Sequence, residues 1–295
     1  MQNWLRVWLL TRKSMKTALK NGGLLFYVAL LIGFVVSGFQ YHWFFIGLTL
    51  ITALSFMEDV KPQHWRLRMN VHTMAMLLML YQWGLFQHYL IFGFMALIFC
   101  MWMVNAYTVM DEGHGMTVMY SLVTVLTLWY INMFQVEFIH KGIIEALIPA
   151  LLVFGTFNFC PKPKLLPNYV GSVAISYTIV FLISMLVIAR KEFDAVVLLA
   201  VYGVDTVLTL GHRLVTGQSV FKSHRLHLFQ VLVDYHKMSA LWVAGIYAII
   251  QAAISVGFLI TRHRYWYALA VFVVCSAVYV VIRRWVFKKY KIVLQ

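Results

Sequence analysis

Val170 to Ala189 reads VGSVAISYTIVFLISMLVIA, twenty residues without a single charge. At ~1.5 Å per residue such a run forms a helix about 30 Å long, which is the thickness of a bilayer's hydrocarbon core. Further apolar runs lie on either side of it, at residues 22–39, 43–57, 70–86, 89–110, 116–134, 142–159, 195–211, 240–260 and 265–282. Composition points the same way. The chain is 62% apolar and 12% charged, where soluble domains carry roughly 45–50% and about 25%. There is too little polar surface to solvate a globule and too much apolar surface for a disordered chain. The expectation is an all-α, polytopic integral membrane helical bundle of about ten transmembrane helices. Residues 1–21 form a basic cytoplasmic N-terminal segment, and residues 22–295 form a single transmembrane domain. No internal repeat or Ser/Gly linker divides it, and no small-residue cleavage site precedes Asn21 to mark a removable signal peptide. Cys100, Cys160 and Cys275 are isolated and make no disulfide scaffold.

Basic residues orient the bundle. With alternate loops assigned to opposite sides, Lys141, Arg190, Lys191, Arg262 and Arg264 fall on one side, and the other nineteen of the 24 Lys and Arg fall on the other. The positive-inside rule makes the richer side cytoplasmic, so both termini are inside and the number of crossings is even. The net charge of +14 is then explained by topology and attraction to anionic lipid, and nucleic acid is not needed.

Ten acids serve the whole chain, and each is costly near hydrocarbon. Glu137, Glu145, Glu192 and Asp194 fall outside, as solvated loop charges beside Lys141, Arg190 and Lys191. Glu58, Asp59, Asp111, Glu112 and Asp234 fall on cytoplasmic loops or helix ends, and Asp205 lies in the span leading to one. Two adjacent acidic pairs, each where an apolar helix ends near basic loops, suit Mg²⁺ bound to a substrate diphosphate; they also suit plain helix termination. The longest polar loop, His212 to about Lys237, carries Arg213, Lys222, His224, Arg225, His227 and His236 and can present several cations to phosphates. His224 and His227 could share a helix face as zinc ligands, but no Cys or clear third ligand accompanies them.

These three loops resemble one family. LSFMEDVKPQHWRLR, from Leu54 to Arg68, resembles the acidic-pair segment of the polyprenyl-phosphate N-acetylhexosamine-1-phosphate transferases, which usually carries Asp-Asp before a basic stretch. NAYTVMDEGHG, from Asn105 to Gly115, is similar to that family's NAxNFMDGxDG-like loop. DTVLTLGHRLVTGQSVFKSHRLHLFQ, from Asp205 to Gln230, resembles the segment that ends in its histidine motif. Order and spacing agree, and the resemblance runs from about Asn21 to the C-terminus. Departures are as specific: Glu58 stands where the first Asp is usual, Thr108 replaces an Asn, Glu112 a Gly and His114 an Asp or Asn. In Asn168-Tyr169-Val170-Gly171-Ser172 the family's acid is replaced by Tyr169.

The resemblance implies a glycosyl-1-phosphate transferase of the bacterial inner membrane with its active face in the cytoplasm. It would transfer an N-acetylhexosamine-1-phosphate from a UDP-sugar to polyprenyl phosphate, releasing UMP and starting a cell-envelope polysaccharide. It implies Mg²⁺ on Asp111, Asp59 with Glu58 acting on the lipid phosphate, Asn105 holding the nucleotide, and Arg225 and His227, with His224 and Lys222, neutralising the diphosphate. Candidate partners are the UDP-sugar, the polyprenyl phosphate lipid, the membrane and a second copy of the chain. Two other classes stay open. An impaired paralogue that binds lipid phosphate or nucleotide sugar without turnover fits the altered residues. A transporter would need ionisable groups near mid-membrane, and only Asp205 is a candidate.

Overall fold

The structure, a computed structural model, describes residues 22–84, 90–111, 115–160, 165, 168–217 and 225–290. The N-terminal segment 1–21 lies outside the described residues. So do Glu112, His114, Lys222 and His224.

Eleven α-helices follow one another: α1 (Leu24–Val36), α2 (His42–Val60), α3 (Trp65–Gln82), α4 (Leu90–Met110), α5 (Met116–Phe134), α6 (Lys141–Asn158), α7 (Asn168–Arg190), α8 (Ala200–Val215), α9 (Leu228–Asp234), α10 (Ala240–Ile260) and α11 (Arg264–Tyr290). A 3₁₀ segment, Phe193–Leu199, leads directly into α8. Each of the ten expected spans coincides with one helical segment, and α9 is a short extra helix of seven residues in the His-containing loop. Among the described residues, eight segments are long and apolar enough to cross a bilayer. Two of the ten fall short of that standard, for different reasons. α1 has only 13 residues, about 20 Å of helix. α3 is long enough, but its first half holds Arg66, Arg68, Asn70 and His72.

Local chemistry explains the breaks. α1 ends in a Schellman turn: Gly38 takes the left-handed conformation (φ 67°) and its N–H donates to the Val35 carbonyl, while the Phe39 N–H reaches back to Phe34. The α5–α6 turn is closed by the buried Asn132, whose Oδ1 accepts from the Phe138 and Ile139 amides at 2.9 and 3.1 Å and whose amide donates to the Ile139 carbonyl.

α7, the segment quoted first, is the hub. It packs against α2, α4, α5 and α1, and 72% of its most apolar window is buried within the protein, against 11% for the peripheral α11. Its neighbour α2 comes close because residue 47 is Gly. The Tyr177 hydroxyl passes over that glycine to donate to the Ala75 carbonyl of α3 at 2.8 Å, and a side chain at 47 would strike it. One turn away, Phe44 stacks on Phe181 at 4.0 Å and on Tyr177 at 5.5 Å.

Contacts also sort the loops into two ends. At one end Arg190 and Arg264 both donate to the Gln135 amide oxygen, at 2.7 and 3.2 Å, and stack over Phe258; the His140 amide donates to the Tyr41 hydroxyl. At the other end α2, α4 and α8 finish and α3, α5, α7 and α10 begin. This second end carries the three motif loops.

Candidate active site at one end of the bundle

Two carboxylates meet the first turn of α7. Asp59, at the end of α2, accepts the Tyr169 amide on Oδ1 and the Val170 amide on Oδ2, both at 3.1 Å. It therefore caps a helix 110 residues away, where unpaired N–H groups and the positive end of the helix dipole favour a negative charge. Asp111 follows the last residue of α4, and its amide still bonds to the Tyr107 carbonyl. Its Oδ1 accepts from the Thr117 hydroxyl of α5, and its Oδ2 pairs closely with the Ser172 hydroxyl of α7. Asp59 on residues 169 and 170 and Asp111 on residue 172 thus share one helical turn. Asn168, which opens that turn, has φ 52°, a left-handed conformation that Asn tolerates better than most residues.

Glu58 does not join them. Its carboxylate turns to Arg68 at the start of α3, 3.7 Å away, with the Arg side chain about half exposed, so the pair contributes little stability. Tyr169, standing where the family has an acid, lays its ring on His72 of α3 with centroids 6.3 Å apart.

Asn158 was not anticipated. It is 1% exposed at the end of α6; its Oδ1 accepts the Gly115 amide at 2.9 Å and its amide donates to the Leu165 carbonyl at 2.9 Å. It ties the end of the Asp111 loop to the segment before α7. Gly115 has φ 81°, so glycine is favoured by conformation, and a Cβ there would lie 2.9 Å from Leu241 Cδ2, whose side-chain tip would have to shift. The available sequence signal was a lone Asn closing an apolar run.

The remaining candidates are placed differently. Asn105 is exposed on α4, and its amide folds back to the Met101 carbonyl at 2.9 Å. Arg225 is tied to Asp234 by two bonds, Nε at 2.8 Å and Nη2 at 3.4 Å. His227 is 1% exposed; its Nδ1 lies 3.2 Å from Asp205, and it caps α9 reciprocally with Gln230. Tyr202 of α8 has its ring 5.0 Å from that of Tyr107, and its hydroxyl is within electrostatic range of both Asp111 and Asp205.

Asp111 with the Ser172 and Thr117 hydroxyls is an all-oxygen donor set. Such hard ligands suit Mg²⁺, which takes one or two carboxylates and fills its octahedron with phosphate oxygens and water. Among the described residues no group of three or more His, Cys, Asp or Glu is arranged to hold a metal; His224, the other half of the zinc alternative, lies outside them. A carboxylate pair at a helix N-terminus can hold a cation against a diphosphate.

No curated protein shows significant similarity to the chain. The family profile of glycosyl transferase family 4 matches residues 41–188, half of the chain, including Asp59, Asp111 and the start of α7. The segment from Asp205 to Gln230 lies beyond that match. An all-helical membrane bundle whose two acidic loops meet on one helix turn thus belongs to glycosyl transferase family 4, the polyprenyl-phosphate sugar-1-phosphate transferases.

Proposed function

We propose that the protein transfers an N-acetylhexosamine-1-phosphate from a UDP-sugar to undecaprenyl or a related polyprenyl phosphate, releasing UMP. On this reading the site end faces the cytoplasm of a bacterial inner membrane, and the lipid product initiates a cell-envelope polysaccharide. The observation that carries it is the convergence of Asp59 and Asp111 on the first turn of α7.

A lipid phosphate oxygen forms a bond to the sugar-linked phosphorus as the bond from that phosphorus to the UMP oxygen breaks. Such in-line transfer needs positioning and charge neutralisation more than covalent catalysis. A phosphate monoester has its second pKa near ~6, so the attacking lipid phosphate is mostly ionised at neutral pH and alignment is the larger demand. Asp111, oriented by Ser172 and Thr117, would hold Mg²⁺. When bound, Mg²⁺ neutralises the diphosphate and its departing oxygen. Asp59, fixed by the two amides of α7, positions the lipid phosphate, with Glu58 beside it. Asn105 faces the nucleotide from α4. Arg225 supplies positive charge by exchanging Asp234 for phosphate, and Lys222 and His224 precede it in the same loop.

A second reading has its own support. Tyr169 on His72 leaves the turn one carboxylate short of the family pattern, which fits a paralogue that binds without turnover. The test is to incubate purified protein with Mg²⁺, polyprenyl phosphate and a panel of UDP-sugars and to measure UMP. UMP release that requires a UDP-N-acetylhexosamine, the lipid phosphate and Mg²⁺ together is the expected result. Binding of UDP-sugar with no UMP under any combination overturns the enzyme reading in favour of the binding paralogue.

A further inference from the structure

Asp205 is a carboxylate that the proposed reaction does not use. It is 1% exposed in the middle of α8, and an unpaired charge buried that deep would cost several kcal/mol. Four polar groups converge on it instead. The Tyr247 hydroxyl of α10 donates to Oδ2 at 2.7 Å, and the Leu228 amide, His227 Nδ1 and the Thr209 hydroxyl reach Oδ1 at 3.1, 3.2 and 3.2 Å. Thr209 is in turn 2.6 Å from the Tyr279 hydroxyl, which accepts from Arg283 of α11 at 3.1 Å. Each hydroxyl can accept one bond and donate one, so the Arg283 charge reaches Asp205 through Tyr279 and Thr209. Three helices and the segment 225–228 therefore meet on one carboxylate.

The His227 side chain also accepts the Gln230 backbone N–H at the start of α9, so one ring links Asp205 to the helix that follows. Two of the four bonds belong to residues 227 and 228, immediately after Arg225. The Tyr202 hydroxyl lies within electrostatic range of both Asp205 and Asp111.

We propose that Asp205 is a positioning residue: it docks the 225–228 segment against the bundle, and so sets where Arg225 and His227 stand relative to the Asp59 and Asp111 turn. The docking follows from the contacts alone. Its consequence for turnover rests on the transferase reading.

Two measurements separate these levels. In full-length protein with its three cysteines replaced by alanine, Val231→Cys reports docking, because Val231 is fully buried on α9. Ser255→Cys, buried on α10 toward the other end, reports the integrity of the bundle. Asp205→Asn keeps the volume but replaces an acceptor with a donor. It should speed maleimide labelling at 231 about tenfold or more and leave 255 unchanged; Tyr247→Phe, which removes one donor and is the gentler change, should give a smaller acceleration of the same kind. In the UMP assay Asp205→Asn should lower kcat about tenfold with the KM for UDP-sugar within about threefold. Combined with His227→Ala it should be no slower than His227→Ala alone, because coupled residues do not lose energy additively. Unchanged labelling at 231 in both variants overturns the proposal. Accelerated labelling with fully additive rate losses overturns the role through His227. If the parent releases no UMP, the transferase reading fails, and the labelling by itself decides whether Asp205 docks the segment.

Discussion

Replacing Asp59 separates a helix cap from a substrate-handling carboxylate. In the structure Asp59 accepts two amides of α7 at 3.1 Å each. Asp59→Ala leaves both N–H groups without a partner at a half-buried helix start. An orphaned donor costs ~1–3 kcal/mol when fully buried, and a lost cap typically costs about 1. With two partly hydrated donors, roughly 2 kcal/mol of local stability should go, equivalent to about thirtyfold faster amide exchange at Tyr169 and Val170, because each ~1.4 kcal/mol is a factor of ten. Asp59→Asn keeps one accepting oxygen and loses the charge–dipole attraction, so about 1 kcal/mol and roughly fivefold faster exchange are expected. Hydrogen exchange on the peptide spanning residues 168–172 reads this directly in detergent or nanodiscs. On the proposed reading, in which the carboxylate also handles lipid phosphate, UMP release read in parallel should fall far more in Asp59→Asn than the small exchange effect explains. Exchange in Asp59→Ala within twofold of the parent would refute the capping argument. Asp59→Asn with full turnover would refute the substrate role and leave Asp59 as a cap.

Four shorter predictions follow from the same geometry. Asp111→Asn should abolish UMP release and blunt its Mg²⁺ dependence while the protein stays folded in thermal denaturation; full activity in that variant removes the metal role. Gly115→Ala should destabilise the protein by about 2 kcal/mol or more, since a left-handed L-residue alone costs roughly 1–2 kcal/mol before Leu241 has to move, and an unshifted melting curve in detergent would contradict this. Cysteines at the exposed positions Ser239 and Lys141 should label from opposite sides of the membrane, Ser239 from the cytoplasm; labelling of Ser239→Cys only from outside removes the cytoplasmic site. Glu58→Asp with Glu112→Gly restores the family pattern and should raise the rate about tenfold, only ~1.4 kcal/mol of barrier, whereas a slower revertant marks Glu58 and Glu112 as adapted members of a variant site.

Much of the architecture was legible in one dimension. Hydropathy is a local property, so a run such as Val170–Ala189 declares a spanning helix wherever it lies, and each of the ten expected spans coincides with one helical segment. The sorting of charge between alternate loops is equally local, and the contacts at the two ends, Gln135 with Arg190 and Arg264, Asp59 with α7, group the loops in the same way. The polar first half of α3 was visible too, as Arg66, Arg68, Asn70 and His72, but its packing against α2 under the bridge from Tyr177 to Ala75 was not.

What only the tertiary structure decided are the pairings between distant residues. Asp59 meets Tyr169 and Val170, Asn158 closes on Gly115, and Asp205 gathers Thr209, His227, Leu228, Tyr247 and, through Tyr279, Arg283. A carboxylate in the sequence carries no sign of which donors it will meet, because that depends on which helices lie side by side. Helix neighbours are chosen by small, cumulative features such as the glycine at 47 and the stack of Phe44 on Phe181. The sequence therefore showed that Glu58 and Asp59 form an acidic pair and that His227 lies in a cationic loop. Packing turned Glu58 to Arg68 and Asp59 to α7, and it buried His227 against Asp205, because buried polar groups must find partners and the nearest ones are supplied by the fold.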